Sequence, residues 1–217
     1  MRSRLLFSAF VAVMLLAMGA STAAASRSFS VVGGGRAFLA IANGTRRLTF
    51  EDLATGLQVI QLVTLHGSIH SLIAKSIGAL VGVINRVSIG PREECRDSLG
   101  VECQAFALVP ASGWHLQLLS FTGTLPRIAS IEVLIVEAEF LLRIGTTECL
   151  YRGTAGGIGT TTEDRRGGQT ITTLVANEEK RISLFRVLRE EFFRPCGEQG
   201  RFRGTFGLST PITIRLH

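Results

Sequence analysis

Apolar and polar residues alternate along most of the chain beyond its first 25 positions. Between Ser130 and Ile144, Val136, Ala138, Phe140, Leu142 and Ile144 fall on one face, and Glu137, Glu139 and Arg143 on the other. That period of two is the mark of a half-buried strand, and it predicts a strand pair or one long bent strand. Leu57–Leu65, Val83–Ile89, Trp114–Thr122 and Gln169–Ala176 also read as strands, from their apolar, β-branched content and the breakers around them. Arg36–Ala42 and Arg46–Phe50 flank Asn43-Gly44. A type I′ turn needs positive φ at both central residues, which Asn-Gly supplies, so a hairpin is expected there. A closing hairpin is expected from Arg201–Leu208 and Ile212–Leu216 around Ser209-Thr210-Pro211. Gly153 to Gly168, rich in Gly and Thr and charged at Glu163–Arg166, predicts a long mobile loop. Residues 91–104 read as a charged loop carrying two cysteines.

Two segments stay open at this level. His70–Val81 places Leu72, Ile73, Ile77 and Leu80 at helical spacing, yet Gly78, Gly82 and the β-branched residues favour an extended chain. Asn177–Phe193 begins with a residue able to cap a helix before Glu178 and Glu179. Its bulky and β-branched content favours strands at 180–188 and 190–194 instead. About eleven or twelve short strands separated by turns predict an all-β fold, a single-domain β-sandwich or β-barrel over residues 26–217.

The N-terminus carries an address. Arg2 and Arg4 precede the uncharged stretch Leu5–Ala20, and Ala23-Ala24-Ala25 follows. This is the three-part pattern of a secretory signal peptide, residues 1–25, with cleavage expected after Ala25. The protein is therefore expected to be secreted or extracytoplasmic, with a possible association with the cell wall. Outside that segment no apolar run reaches eighteen residues, so no transmembrane helix is expected in the mature chain. Hydrophobic residues make up 46% and charged residues 18%, which excludes intrinsic disorder. Removing Arg2 and Arg4 takes the formal charge from +6 to +4. Arginine outnumbers lysine 21 to 2, the usage of a GC-rich genome. The arginines are thus poor support for phosphate recognition, and no nucleic acid partner is expected. An anionic cell-wall polymer or surface glycan is the partner a mildly basic surface suggests.

Cys95, Cys103, Cys149 and Cys196 form an even set in an exported chain, which reads as two disulfides. Three pairings are possible; Cys95–Cys103 with Cys149–Cys196 is favoured. Zinc is disfavoured because no C-x-x-C occurs and no histidine lies near a cysteine in sequence, and no cofactor is expected.

Candidate catalytic groups are few. His66 and His70 have the spacing of a helical metal pair, but Gly67 separates them and no acid is near. His115 is a possible base with no nameable orienter, and Asp52, Asp97 and Asp164 sit in no recognisable triad setting. Glu137 and Glu139 share a predicted strand face, whereas glycosidase carboxylates usually face each other across the substrate. Gly153–Gly159 matches no phosphate-loop pattern. Lys180–Arg203 interleaves basic residues with Phe185, Phe192, Phe193 and Phe202. Core phenylalanines alternating with solvated arginines explain that run more simply than a polyanion groove.

The stretches Leu65–Lys75, Ser120–Pro126 and Cys149-Leu150-Tyr151 resemble exported all-β proteins of high-GC actinobacteria. The resemblance implies an exported sandwich or barrel and brings no activity with it. Related sequences place a cysteine near Gln61, which this chain lacks, so the pairing of Cys95 and Cys103 stays open.

The expectation is a secreted or wall-associated, non-catalytic binding or structural module. The alternatives are a secreted, glycan-directed hydrolase using Glu137 or Glu139, and a carrier holding a small apolar ligand inside a β-barrel. A closed barrel with an apolar cavity would favour the carrier; a sandwich with a filled core would count against it.

Overall fold

The computed structural model describes residues 29–32, 37–42, 47–73, 76–90, 96–97, 102–123, 127–163, 168–189 and 196–216. The predicted signal peptide lies outside them, as do Cys95, Asp164, Phe192 and Phe193. The described residues contain strands and turns and no helix; of the two open segments, Leu72–Ile73 and Leu80–Val81 are strand, and Ile182–Arg189 is strand after a turn at 178–179.

The strands in order are β1 (Phe29–Val32), β2 (Ala37–Ala42), β3 (Leu48–Asp52), β4 (Gln58–Gln61), β5 (Val63–Ile69) and β6 (Leu72–Ile73). Next come β7 (Leu80–Ile89), β8 (Arg96–Asp97), β9 (Cys103–Ala107), β10 (Trp114–Thr122) and β11 (Ser130–Ile144). The chain ends with β12 (Thr147–Glu163), β13 (Gln169–Ala176), β14 (Ile182–Arg189), β15 (Gln199–Arg203) and β16 (Thr205–Leu216). Eight of them close on themselves in the order β2-β5-β7-β10-β11-β12-β13-β16 and back to β2, every pair antiparallel. Of the two predicted architectures, the barrel is the one adopted.

Two strands are too long for the barrel alone. The first half of β11 pairs with β10, and its second half, Phe140–Ile144, pairs with β9. β12 likewise pairs with β13 beyond Gly157 and with β14 before Gly153. Their outer halves carry a second run of strands, β9-β11-β12-β14-β15-β3-β4-β8. This sheet extends past one end of the barrel.

The transition on β11 is a bulge. Its pairing with β12 shifts register between Ile135 and Ala138, and Glu137 there has φ 57°. An extra residue in a strand re-aims every side chain beyond it. Before the bulge, Ile131 is buried and Val133 and Ile135 are half-buried; after it, the buried positions are Ala138, Phe140, Leu142 and Ile144. The simple alternation that placed Val136 with the second set is therefore corrected.

Other expectations fail for identifiable reasons. The Asn43-Gly44 hairpin does not form between β2 and β3. β2 spends both edges on β5 and β16, whereas β3 joins the second sheet through β4 and β15. Residues 43–46 themselves lie outside the described set. Leu57–Leu65 is two strands, not one, divided at Leu62 between the second sheet and the barrel. The loop expected over Gly153–Gly168 is strand as far as Glu163. Its glycines serve close approach: a Cβ at Gly153 would lie 3.2 Å from the Ile182 Cα. No closing hairpin forms at Ser209–Pro211, because β16 runs through. Those residues sit where its ladder with β13 shifts register, a place where proline costs no ladder bond.

Candidate functional site

Inward positions of the barrel are mostly apolar; Gln169 of β13 is a buried exception, whose Oε1 accepts from the Thr161 hydroxyl at 3.1 Å. On β5 the buried residues Val63, Leu65 and Ile69 alternate with half-buried Thr64, His66 and Ser68. These inward side chains do not fill the space they enclose. One lobe lies inside the barrel, among Phe38, Val81, Leu116, Leu118, Ile131 and Ile171, with about 90 Å³ open to the centres of water-sized spheres. A second lobe, with about 110 Å³ open by the same measure, lies where the second sheet extends past the barrel end. Leu48 and Phe50 of β3, Val59 and Gln61 of β4, Ala105 and Ala107 of β9 and Phe202 of β15 line it together with barrel residues. Leu65, Ile135, Gly156, Ala176 and Phe206 line both lobes, so the two share a wall, and the pair is termed the chamber. One water-sized sphere needs about 10–15 Å³ by this measure, so each lobe has room for several methylene-sized groups.

Polar groups in the lining are few. Trp114 Nε1 donates to the Leu108 carbonyl at 3.3 Å and is thereby satisfied. Gln61 is 4% exposed, and its Nε2 donates to the Gly90 carbonyl at 3.0 Å. The Gly90 amide in turn donates to the Leu62 carbonyl at 2.9 Å. A carbonyl can only accept, so this clamp fixes the Gln61 amide with Nε2 toward Gly90. The other end, Oε1, is buried and has no partner among the described residues.

Aromatic rings back the outer lobe. The Phe50 ring meets Phe140 and Tyr151 edge-on at 5.0 and 4.9 Å between centroids, and Phe202 lies 5.3 Å from Phe140. Behind them, the Tyr151 hydroxyl donates to Asp52 Oδ2 at 3.1 Å, and the Gly197 amide donates to the same oxygen at 2.7 Å. Asp52 Oδ1 accepts from Ala54 N and Thr55 N, each at 3.0 Å. The Asp52 carboxylate thus joins β3, β12 and the segment at Gly197. Gly197 must be glycine, since a Cβ there would overlap that carboxylate. On the rim, the hydrogen bond from Arg201 to Glu51, 2.6 Å long, holds the Glu51 carboxyl below its ordinary range.

Burial, then the Asp52 charge, pushes the Tyr151 phenol well above its ordinary value of 10.0. Below about pH 10 the folded and unfolded chains both keep this proton, and its contribution to stability is intact. Above that pH the unfolded chain loses a proton that the native chain retains. Stability attributable to Tyr151 therefore falls by about 1.4 kcal/mol per pH unit. Tyr151→Phe is expected to flatten that part of the alkaline slope in urea titrations. Tyr151 is the sole tyrosine, so phenolate absorbance should rise only as the protein unfolds. A phenolate signal near pH 10 from folded protein would contradict this.

The candidates named from sequence stand apart from the chamber. Glu137 is exposed at the bulge, and Glu139 accepts from Arg152 at 2.6 and 2.9 Å. The Arg152 guanidinium lies 4.0 Å from the ring centre of the exposed Phe185. His115 alternates with the inward-facing Trp114 and Leu116 of β10. His66 occupies an outward position of β5, and His70 follows that strand, exposed. None of these residues lines either lobe. Among the described residues no group of three His, Cys, Asp or Glu is placed to hold a metal. Cys149 and Cys196 are bridged. Cys103 is also disulfide-bonded, while its predicted partner Cys95 lies outside the described residues. In the basic run, Phe202 joins the aromatic cluster, and Arg201 and Arg203 pair with Glu51 and Glu178.

Comparison with protein families, curated proteins and solved structures returns no match for this chain. Gln61 escaped the reading of the sequence, although a signal was there. Val59, Gln61, Val63, Leu65, Gly67 and Ile69 form one period-two run, with a single amide among otherwise non-polar inward positions.

Proposed function

We propose that this protein is a non-catalytic binding module that carries one small apolar molecule, acting outside the cytoplasm. The observation that carries the reading is the closed eight-stranded barrel with an unfilled apolar chamber. Barrels of this size have interiors just wide enough to be filled by side chains or to hold one small ligand. Filled barrels leave few voids larger than a water molecule, and this chamber exceeds that. The signal-peptide pattern of residues 1–25 supports the location.

The test is a fluorescence titration of the mature chain with diphenylhexatriene, a hydrocarbon that emits in apolar surroundings. Saturable binding of one molecule per chain is expected, with energy transfer from Trp114, the sole tryptophan, which lines the outer lobe. Ala107→Phe places a ring in that lobe and is expected to weaken binding at least about tenfold. Its effect on stability separates a void from a packed core. Overpacking a filled core costs about 1–3 kcal/mol, whereas filling this chamber should be neutral or stabilising. Absent binding, together with a destabilised Ala107→Phe, would contradict the reading.

A further inference from the structure

Trp114 and Phe206 both line the outer lobe and are 7% and 8% exposed. They lie on β10 and β16, which stand fourth and eighth in the closed round of eight strands that starts at β2. Strands half a round apart face each other across a barrel, so these two inward rings come from opposite walls. The indole is fixed by its hydrogen bond to the Leu108 carbonyl at 3.3 Å. Three further rings line the same lobe, those of Phe50, Phe140 and Phe202. These three already contact one another, at 5.0, 5.7 and 5.3 Å between centroids. Among the described residues, Trp114 and Phe206 have no such ring partner. Aromatic rings attract one another edge-to-face or offset-stacked, at centroid separations of about 4.5–7 Å, beyond what area burial gives. Two unpaired rings on opposite walls of an unfilled lobe leave that attraction to whatever enters between them. The barrel lobe differs, since Ile69, Val81, Leu118, Ile131 and Ile171 in its wall favour bulk without regard to flatness.

We propose that the outer lobe takes a planar aromatic ring, held between Trp114 and Phe206, in preference to a saturated group of the same size. The inference rests on the reading of the chamber as an apolar ligand site, and its test separates the two.

Toluene and methylcyclohexane share one carbon skeleton and differ in the flatness and π face of the ring. Their binding to residues 26–217 would be read directly by headspace partitioning, and each affinity divided by that hydrocarbon's own transfer from water to hexadecane. Toluene is then expected to be favoured about tenfold, the ratio that contact with two rings supplies. Trp114 lines the outer lobe and is not among the described residues of the barrel lobe. Trp114→Leu should therefore cut the preference about threefold, and Trp114→Phe, which keeps a ring, should retain most of it. The comparison on the unaltered chain stands even if a variant fails to fold. Equal corrected affinities, or a preference for methylcyclohexane, overturn the aromatic class and leave the apolar site standing. A preference for toluene that a folded Trp114→Leu chain keeps in full overturns the clamp between the two rings. Failure of both hydrocarbons and of diphenylhexatriene to bind overturns both readings.

Discussion

Replacing Asp52 with alanine is expected to lower the stability of the fold by about 3–5 kcal/mol, the cost of leaving its buried donors unpaired. The side chain is 2% exposed and accepts four hydrogen bonds. Removing it strands the Tyr151 hydroxyl and the Gly197 amide without an acceptor in a buried place. Each stranded donor costs about 1–3 kcal/mol, and the two amides of the turn after β3 lose their partner as well. In thermal unfolding the midpoint should fall by roughly 10 °C or more for a domain of this size. Asp52→Asn should lie between, since its Nδ2 would face donors where a carboxylate oxygen now accepts. Glu139→Ala provides the contrast: its partner Arg152 is 46% exposed, and such pairs contribute about 0–1 kcal/mol. A loss below about 1 kcal/mol for Asp52→Ala would show that the carboxylate is not the fastener described here.

Removing the Cys149–Cys196 bridge by paired substitution with alanine is expected to cost about 4 kcal/mol. The bridge spans 47 residues, and closing a loop of that length restricts the unfolded chain by about this much in the entropy model. Reduction opens the Cys103 bridge as well, so its loss should be at least as large. The bridge and the Asp52 hub also act at one place: Tyr151 lies two residues after Cys149, and Gly197 directly follows Cys196. Both fasten the segment at 196–197 to β12, behind the aromatic wall of the outer lobe. Neighbouring devices of this kind do not add, so the combined variant should lose less than the sum of the two. Strict additivity in urea unfolding would contradict a shared role.

Much of this was legible in the chain. The bounds of β10, β11 and β13 follow from local alternation and breakers, because a strand buried on one face must repeat every second residue. The partners of those strands were not legible. Asn43-Gly44 joins two strands that belong to different parts of the fold, and ladder partners distant in sequence outweigh local turn chemistry. The glycines of β12 look like loop residues until Ile182 is seen packed against Gly153. The chamber is hardest to read, since it is defined by what side chains fail to fill. Its polar mark, Gln61, is visible only once the Val59–Ile69 alternation is known to face inward. Asp52, dismissed as a member of a triad, proves to be a buried fastener.

The most direct test of the chamber is a crystal structure of residues 26–217 under xenon pressure. Xenon enters apolar voids that water leaves empty. Strong density is predicted in both lobes, one among Phe38, Leu118 and Ile131, the other among Phe50, Ala107 and Trp114. A barrel whose lobes are filled by side chains or by a hydrogen-bonded chain of waters, with xenon only on the surface, would contradict the account.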